Sequence, residues 1–184
     1  MTDKHSMRTL LRNARRALSA ETQRAHAQAA LQYFMASAVF QSAGHIAFYI
    51  TQDGELDTHP FLQAAWLANK ACYLPVLHAY RSLRFARYYP HTELIPNAFG
   101  ILEPKELSLI ETDKLDIVCM PVVGFDAALH RLGRGGGYYD VTFEKNRHPV
   151  RMGFAHECQR IDTVLTETHD LPLQYVLTEN GLWG

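Results

Sequence analysis

Cysteine is scarce in this sequence and its number is odd: Cys72, Cys119 and Cys158 lie far apart, two of them in strand-like apolar runs. Such a set excludes a disulfide framework and a zinc-finger spacing, and it fits reduced core thiols in a cytoplasmic protein. An excess of either charge is also lacking. Lys and Arg total 18 against 19 Asp and Glu, for a formal net charge of −1, so no global field draws the chain to nucleic acid or an anionic membrane. No stretch approaches the roughly eighteen uninterrupted apolar residues of a membrane span. The Met1–Ser6 segment lacks the apolar region of a secretory signal, and a cytoplasmic location is expected. There is no internal repeat, low-complexity tract or Pro/Gly/Ser linker. No Ser-His-Asp or Cys-His arrangement can be assembled, so covalent catalysis is not expected. Among the ten histidines none stands at a metal-ligand spacing from another, and His130, His156 and His169 read as isolated.

What is present belongs to a globular protein. A chain of 184 residues, 47% hydrophobic and 20% charged, is long enough for one domain with a substantial core. The patterning predicts two amino-terminal helices, about 4–17 and 20–38, with Ser19 capping the second and Glu21 in its first turn. Strands are expected at 45–50, 71–76, 83–89, 115–123, 151–155 and 175–178. A helix over 59–69 separates the first two, with Thr58 as its cap and Pro60 in its first turn. Alternation of this kind, with continuous apolar runs such as Ile117–Val123, predicts a single-domain, three-layer α/β/α fold around a mainly parallel sheet. Ligands of such sheets bind at the carboxyl ends of the strands. The segments 53–58 and 131–140 both follow strands and so can meet there.

The second of those segments is the most informative: Arg131-Leu132-Gly133-Arg134-Gly135-Gly136-Gly137-Tyr138-Tyr139-Asp140. An apolar strand precedes it and a helical stretch follows. Glycines let backbone amides approach a ligand closely, the helix start favours anions, and Arg131 and Arg134 add forked donors. That combination points to a phosphate site; a flexible hairpin with two solvated arginines is the alternative. No lysine stands where a Walker A loop requires one, and Gly133-x-Gly135 comes too late in the chain for a dinucleotide fingerprint.

Three further features leave two readings each. The first helix carries Lys4, Arg8, Arg12, Arg15 and Arg16, with Met7, Leu10, Leu11, Ala14 and Leu18 on the other face. Its basic side is either solvated, as suits Arg15 and Arg16, or brings Lys4 and Arg8 to a polyanion such as a triphosphate. In Gln52-Asp53-Gly54-Glu55-Leu56-Asp57-Thr58, Asp53-Gly54 signals a turn and Asp57 or Thr58 can cap the next helix. Capping does not account for Glu55, which either reads a ligand or is incidental. Asp140 either complements a helix dipole or holds Mg²⁺ beside phosphates.

Arg131–Asp140, preceded by Met120-Pro121-Val122-Val123-Gly124-Phe125-Asp126, closely resembles the signature of the 5-formyltetrahydrofolate cyclo-ligase family, also called 5,10-methenyltetrahydrofolate synthetases. Lys4-x-x-x-Arg8, Glu55-Leu56-Asp57-Thr58, Tyr73-Leu74-Pro75-Val76 and Phe99-Gly100-Ile101-Leu102-Glu103-Pro104 resemble further family motifs in the same order, so the likeness spans nearly the whole chain. Two positions depart from the family pattern. Leu129 beside His130 stands in a turn where glycine is usual, and Gln174 stands where some members carry a second metal-binding aspartate.

The resemblance implies one cyclo-ligase-like domain over 1–184, with helices over 4–38 packed on an α/β core over 45–178. It implies ATP-dependent conversion of 5-formyltetrahydrofolate to 5,10-methenyltetrahydrofolate, with Mg²⁺ as cofactor. By similarity, Lys4, Arg8 and the loop Arg131–Tyr139 bind ATP, Arg131 and Arg134 act on the transferring phosphoryl, Asp140 holds the metal, and Tyr49 and Glu55 hold the folate. No nucleic acid, membrane or obligate protein partner is implied, and the length of the folate's glutamate tail stays open. The alternatives are a catalytically weak nucleotide- or folate-binding module on the same fold and, by architecture alone, a sugar-phosphate isomerase.

Overall fold

In the computed structural model, residues 3–146, 148–168 and 170–184 are described. Helix α1 (Lys4–Arg16) starts at Asp3, whose carboxylate accepts from the His5 and Ser6 amides at 2.7 and 2.9 Å. Its buried face is Met7, Leu11 and Arg15, one residue per turn. Leu10, expected on that face, is 53% exposed, because an interval of three from Met7 falls to the side of an i, i+4, i+8 stripe. Helix α2 (Ala20–Ala36) is capped by Ser19 as predicted, its hydroxyl accepting from the Thr22 amide at 3.0 Å. The helix expected to run to 38 breaks at Ser37. Its hydroxyl donates to the Phe34 carbonyl at 2.6 Å and accepts from the Phe40 amide at 3.1 Å, starting α3 (Ala38–Ser42). A serine that bonds to local backbone offers the chain this alternative to a continuing helix.

Among the described residues, twelve strands follow in three sheets. The main sheet holds β1 (His45–Ala47), β2 (Ala71–Leu77), β3 (Leu83–Arg87), β6 (Leu109–Ile110), β7 (Ile117–Pro121), β10 (Val150–Phe154), β11 (Tyr175–Thr178) and β12 (Gly181–Trp183). Its order is β12-β11-β10-β7-β1-β2-β3-β6. The five strands from β11 to β2 run parallel, while β12, β3 and β6 add antiparallel edges. The mainly parallel sheet predicted from the apolar runs is thus present. Two small hairpins, β4 (Leu94–Pro96) with β5 (Leu102–Pro104) and β8 (Gly124–Phe125) with β9 (Arg131–Leu132), were not expected. Strands of two or three residues carry no measurable alternation. Helices α4 (His59–Leu67) and α5 (Tyr138–Phe143) complete the fold. At the start of α4 the Asp57 carboxylate accepts from the His59 amide at 3.0 Å. Thr58 instead donates its hydroxyl to the Tyr49 carbonyl at 2.6 Å.

Alternation along the strands divides the core between the two faces. Ile46, Cys72, Leu74, Ile117, Cys119 and Phe154 face α2, α3 and α4, where Phe34 and Phe61 pack at 5.5 Å between centroids and Phe61 and Phe154 at 4.8 Å. Truncating such a buried ring removes about 3–5 kcal/mol. Ala47, Tyr73, Val118, Met120 and Val176 face the opposite layer, covered by Phe143 of α5 and by Leu171 and Leu173. Met7 and Leu11 pack separately with Val123, Leu132 and Val164. There Gly124 has no side chain for a reason: a Cβ would stand 2.5 Å from Leu11 Cδ1. This contact seats α1 on the β8–β9 hairpin and brings its first turns beside the glycine loop. Among the described residues, no helix is long and apolar enough to cross a membrane.

Candidate functional site

Strands β1 and β7 are parallel neighbours, and the chain leaves β1 for β2 on one side while β7 lies on the other. A crevice opens at the carboxyl ends of strands where connections diverge in this way. Here it is a cavity of about 790 Å³, lined by Lys4, Arg8, Tyr49 and the whole of Arg131–Asp140. The predicted site residues therefore meet, except that Glu55 borders a smaller neighbouring pocket with Gln52 and Asp57. One wall of the main cavity is apolar, formed by Leu77 and Leu83 with Phe99 and Ile101 from the β4–β5 turn. Glu103 ties that turn to the sheet, its carboxylate accepting from the Leu77 amide at 2.9 Å and Asn97 Nδ2 at 2.7 Å.

The expected order of strand, glycine loop and helix is modified by the β8–β9 hairpin, which lies between β7 and the loop. Asp126 organises its turn. Its carboxylate accepts from the amides of Ala128, His130 and Val164 and lies 3.0 Å from His130 Nδ1. Burial alone would raise its pKa, but these bonds outweigh burial and lower it. Leu129 adopts φ +63° in that turn, so the left-handed residue where the family pattern has glycine is a leucine. The strain, of order 1–2 kcal/mol, is offset by the Leu129 carbonyl accepting from the Leu173 amide at 3.0 Å and by packing of the side chain on the core.

Beyond Leu132 the loop turns through Gly135 at φ +105° and Gly137 at φ +70°. Arg8 fastens it: Nε donates to the Gly133 carbonyl at 2.8 Å, and the guanidinium carbon is 3.5 Å from where a Gly135 Cβ would stand. A side chain at 135 would therefore press on Arg8 as well as strain the backbone. Helix α5 has six residues and no side-chain cap. Its dipole is short, so the helix start expected to favour anions contributes little, and it is the loop backbone and the arginines that line the cavity.

Three cations around the cavity, Arg134, Arg131 and Lys4, are paired with carboxylates, whereas Arg8 bonds the Gly133 carbonyl. Arg134 places Nη2 2.6 Å and Nε 3.0 Å from Glu55 Oε1, and Nη1 3.3 Å from Gln52 Oε1. Arg131 donates Nη2 to Asp140 Oδ1 at 2.6 Å and lies over the Tyr139 ring, 5.6 Å from its centroid. Asp140 Oδ1 also accepts from the Leu171 amide at 3.2 Å. Lys4 Nζ is 2.8 Å from both Glu167 and Asp170, and Asp170 lines the cavity with Asp140. Gln174 does not reach it, because its side-chain oxygen accepts from the Arg151 amide at 2.9 Å. Tyr49 donates its hydroxyl to the Leu56 carbonyl at 3.2 Å. Burial, then the Glu55 charge, pushes its pKa well above the ordinary tyrosine value, and burial raises that of Tyr139.

Arg15 corrects the sequence reading most sharply. Expected in solvent, its side chain is 1% exposed. Nε donates to the Asp53 carbonyl and Nη2 to the Asp53 carboxylate, both at 2.8 Å, while Nη1 reaches the Val122 carbonyl at 3.4 Å and lies 3.7 Å from Glu55. Its spacing from Met7 and Leu11 on the buried stripe was a usable signal. The histidines also depart from expectation. His130 bonds Asp126, and His26 meets His156 across 130 positions of sequence, a pairing to which local spacing is blind; His169 lies outside the described residues.

A sequence profile of the 5-formyltetrahydrofolate cyclo-ligase family matches residues 1–179. The chain is 38% identical to the 5-formyltetrahydrofolate cyclo-ligase of Escherichia coli (strain K12), over 95% of this chain and 99% of that protein. It is 37% identical to that of Haemophilus influenzae, over 95% and 96%. The fold matches the 5,10-methenyltetrahydrofolate synthetase structure from Aquifex aeolicus with a TM-score of 0.85 at 26% identity, covering 97% of this chain and 91% of the other. A synthetase structure from Mycoplasma pneumoniae, at 22% identity and a TM-score of 0.78 over 97% and 99%, shares the fold. With the profile spanning nearly every residue and the signature loop forming the floor of the cavity, the chain belongs to the 5-formyltetrahydrofolate cyclo-ligase family.

Proposed function

We propose that this protein converts 5-formyltetrahydrofolate and ATP to 5,10-methenyltetrahydrofolate, ADP and phosphate within the 790 Å³ cavity. The observation that carries the proposal is a single cavity in which the glycine loop, with Lys4 and Arg8, faces an apolar wall of Leu77, Leu83, Phe99 and Ile101. Such a site suits a reaction between a polyphosphate and a flat heterocycle whose face can lie on apolar side chains.

The N-formyl group is amide-like, so its carbon is a poor electrophile and its oxygen a poor leaving group. Transfer of the γ-phosphoryl to the formyl oxygen answers both difficulties. N10 then attacks the activated carbon, its proton leaves to solvent or phosphate, and phosphate departs with the former formyl oxygen as the bridge closes. Phosphoryl transfer of this kind depends on positioning and on fixed charge. Lys4, Arg8 and the backbone of Leu132, Gly133 and Gly135–Tyr139 would hold the triphosphate, with Arg131 and Arg134 stabilising the transferring group. Tyr49 and Glu55 would position the folate, its ring against Leu77, Leu83 and Phe99. No general base is required by this scheme.

A divalent ion such as Mg²⁺ would neutralise phosphate oxygens. Asp140 suits it as a carboxylate on the cavity wall, and Asp170, on the same wall, would offer a second carboxylate, a role left open in the sequence by Gln174. Steady-state kinetics with ATP and folate varied in turn test the assignment of both substrates to one cavity. Arg134→Ala should depress turnover with each, and a rate unchanged by that substitution would remove the loop from the chemistry.

A further inference from the structure

Outside the cavity, donor atoms from three separate elements converge. Nδ1 of His26, on α2, lies 3.0 Å from Nδ1 of His156, in the turn after β10. The same His26 atom is 3.2 Å from Oε1 of Glu179, between β11 and β12. All three potential ligand atoms fall within 4.8 Å of one another. Hydrogen bonding accounts for this poorly. A single Nδ1–H on His26 can be directed at one acceptor, and the His156 side chain already receives the Gln159 amide. The His156 ring is fully buried, and its Nε2 has no hydrogen-bond partner among the described residues.

Two edges of the triangle have the length of edges of a metal's coordination shell, and the third is no longer than 4.8 Å. Zinc–nitrogen bonds of about 2.0–2.1 Å at tetrahedral angles hold neighbouring donors roughly 3.3–3.4 Å apart, within a few tenths of an ångström of both distances here. We propose that His26, His156 and Glu179 form a site for Zn²⁺ or a similar borderline divalent cation, distinct from the ATP and folate cavity. Two imidazoles and one carboxylate suit such an ion, whereas Mg²⁺ selects oxygen ligands. The side chains of His26 and Glu179 retain 20% and 13% exposure, which leaves a fourth position for water. The bound ion would join α2 to the β10 turn and the β11–β12 hairpin. It would sit behind the Glu55 loop, whose Gly54 and Glu55 backbones lie beside the His156 ring.

The test is Zn²⁺ titration of chelator-treated full-length protein by calorimetry, with saturating Mg²⁺ to mask the nucleotide site and Co²⁺ substitution to report geometry. One Zn²⁺ per chain, a tetrahedral Co²⁺ spectrum and a raised melting temperature are expected. His26→Gln and Glu179→Gln should each weaken Zn²⁺ binding by about tenfold or more without changing zinc-free turnover. Cys158→Ser, at a nearby exposed thiol, should bind as the parent does. Absence of Zn²⁺ uptake at about 100 µM (a Kd weaker than some −5.5 kcal/mol), undiminished affinity in the first two variants, or loss of binding in Cys158→Ser would each overturn the proposal.

Discussion

Arg134 and Glu55, 79 positions apart, are joined by a fork in which Nε and Nη2 share one carboxylate oxygen at 3.0 and 2.6 Å. The other Glu55 oxygen accepts from the Gln52 amide at 3.2 Å, and Arg15 approaches from behind at 3.7 Å. The loop after β1 and the loop after β9 are therefore one electrostatic unit. A division into a phosphate half and a folate half, natural from the sequence, underestimates how directly the two touch.

Arg134→Ala is expected to lower turnover by about 10²–10³-fold, the loss of one preorganised donor. It also leaves the Glu55 carboxylate, 1% exposed, with one fewer partner, so a stability loss of about 1–3 kcal/mol accompanies it. Arg134→Lys should restore little activity, because a point charge cannot reproduce the fork. Kinetics and melting curves on both variants check this.

Asp140→Asn removes the charge that Arg131 Nη2 meets at 2.6 Å. If Asp140 also holds the metal, the variant needs more Mg²⁺ for half-maximal rate, and Asp170→Asn shifts the same curve in the same direction. Activity titrated against Mg²⁺ would show parallel curves, parent and variant, if neither carboxylate serves the ion.

Glu55→Gln is expected to raise KM for 5-formyltetrahydrofolate and, by releasing Arg134, to lower kcat as well. KM for ATP should move less. A variant with weakened ATP and untouched folate would place Glu55 on the nucleotide alone.

Arg15→Lys keeps the buried charge but loses the bonds to Asp53 and the Val122 carbonyl. A loss of about 2 kcal/mol should appear as a melting temperature lowered by about 4–8 °C. If Arg15 positions the Glu55 loop, KM for folate rises more than kcat falls at temperatures where the protein stays folded. A purely structural arginine would leave that ratio unchanged.

The sheet was legible because strands buried on both faces spell continuous apolar runs, as in Ile117–Pro121. The glycine loop was legible by composition, and its residues do line one cavity. The β8–β9 hairpin and the Ser37 break were not, since each depends on a few bonds without periodic signature. Arg15 was misread because charge was allowed to outweigh position, although four-residue spacing put it on the buried stripe. Pairings such as His26 with His156 or Lys4 with Asp170 span 130 and 166 positions, and only the three-dimensional chain brings them together.

The most direct measurement is ultraviolet absorbance in the methenyl band after mixing the protein with Mg-ATP and 5-formyltetrahydrofolate, with ADP quantified in parallel. Appearance of the methenyl product in equal amount to ADP, dependent on ATP and depressed in Arg134→Ala, is the predicted result. A folded protein that binds ATP or folate but forms no methenyl product would contradict it, and would identify the chain as a binding module on the cyclo-ligase fold.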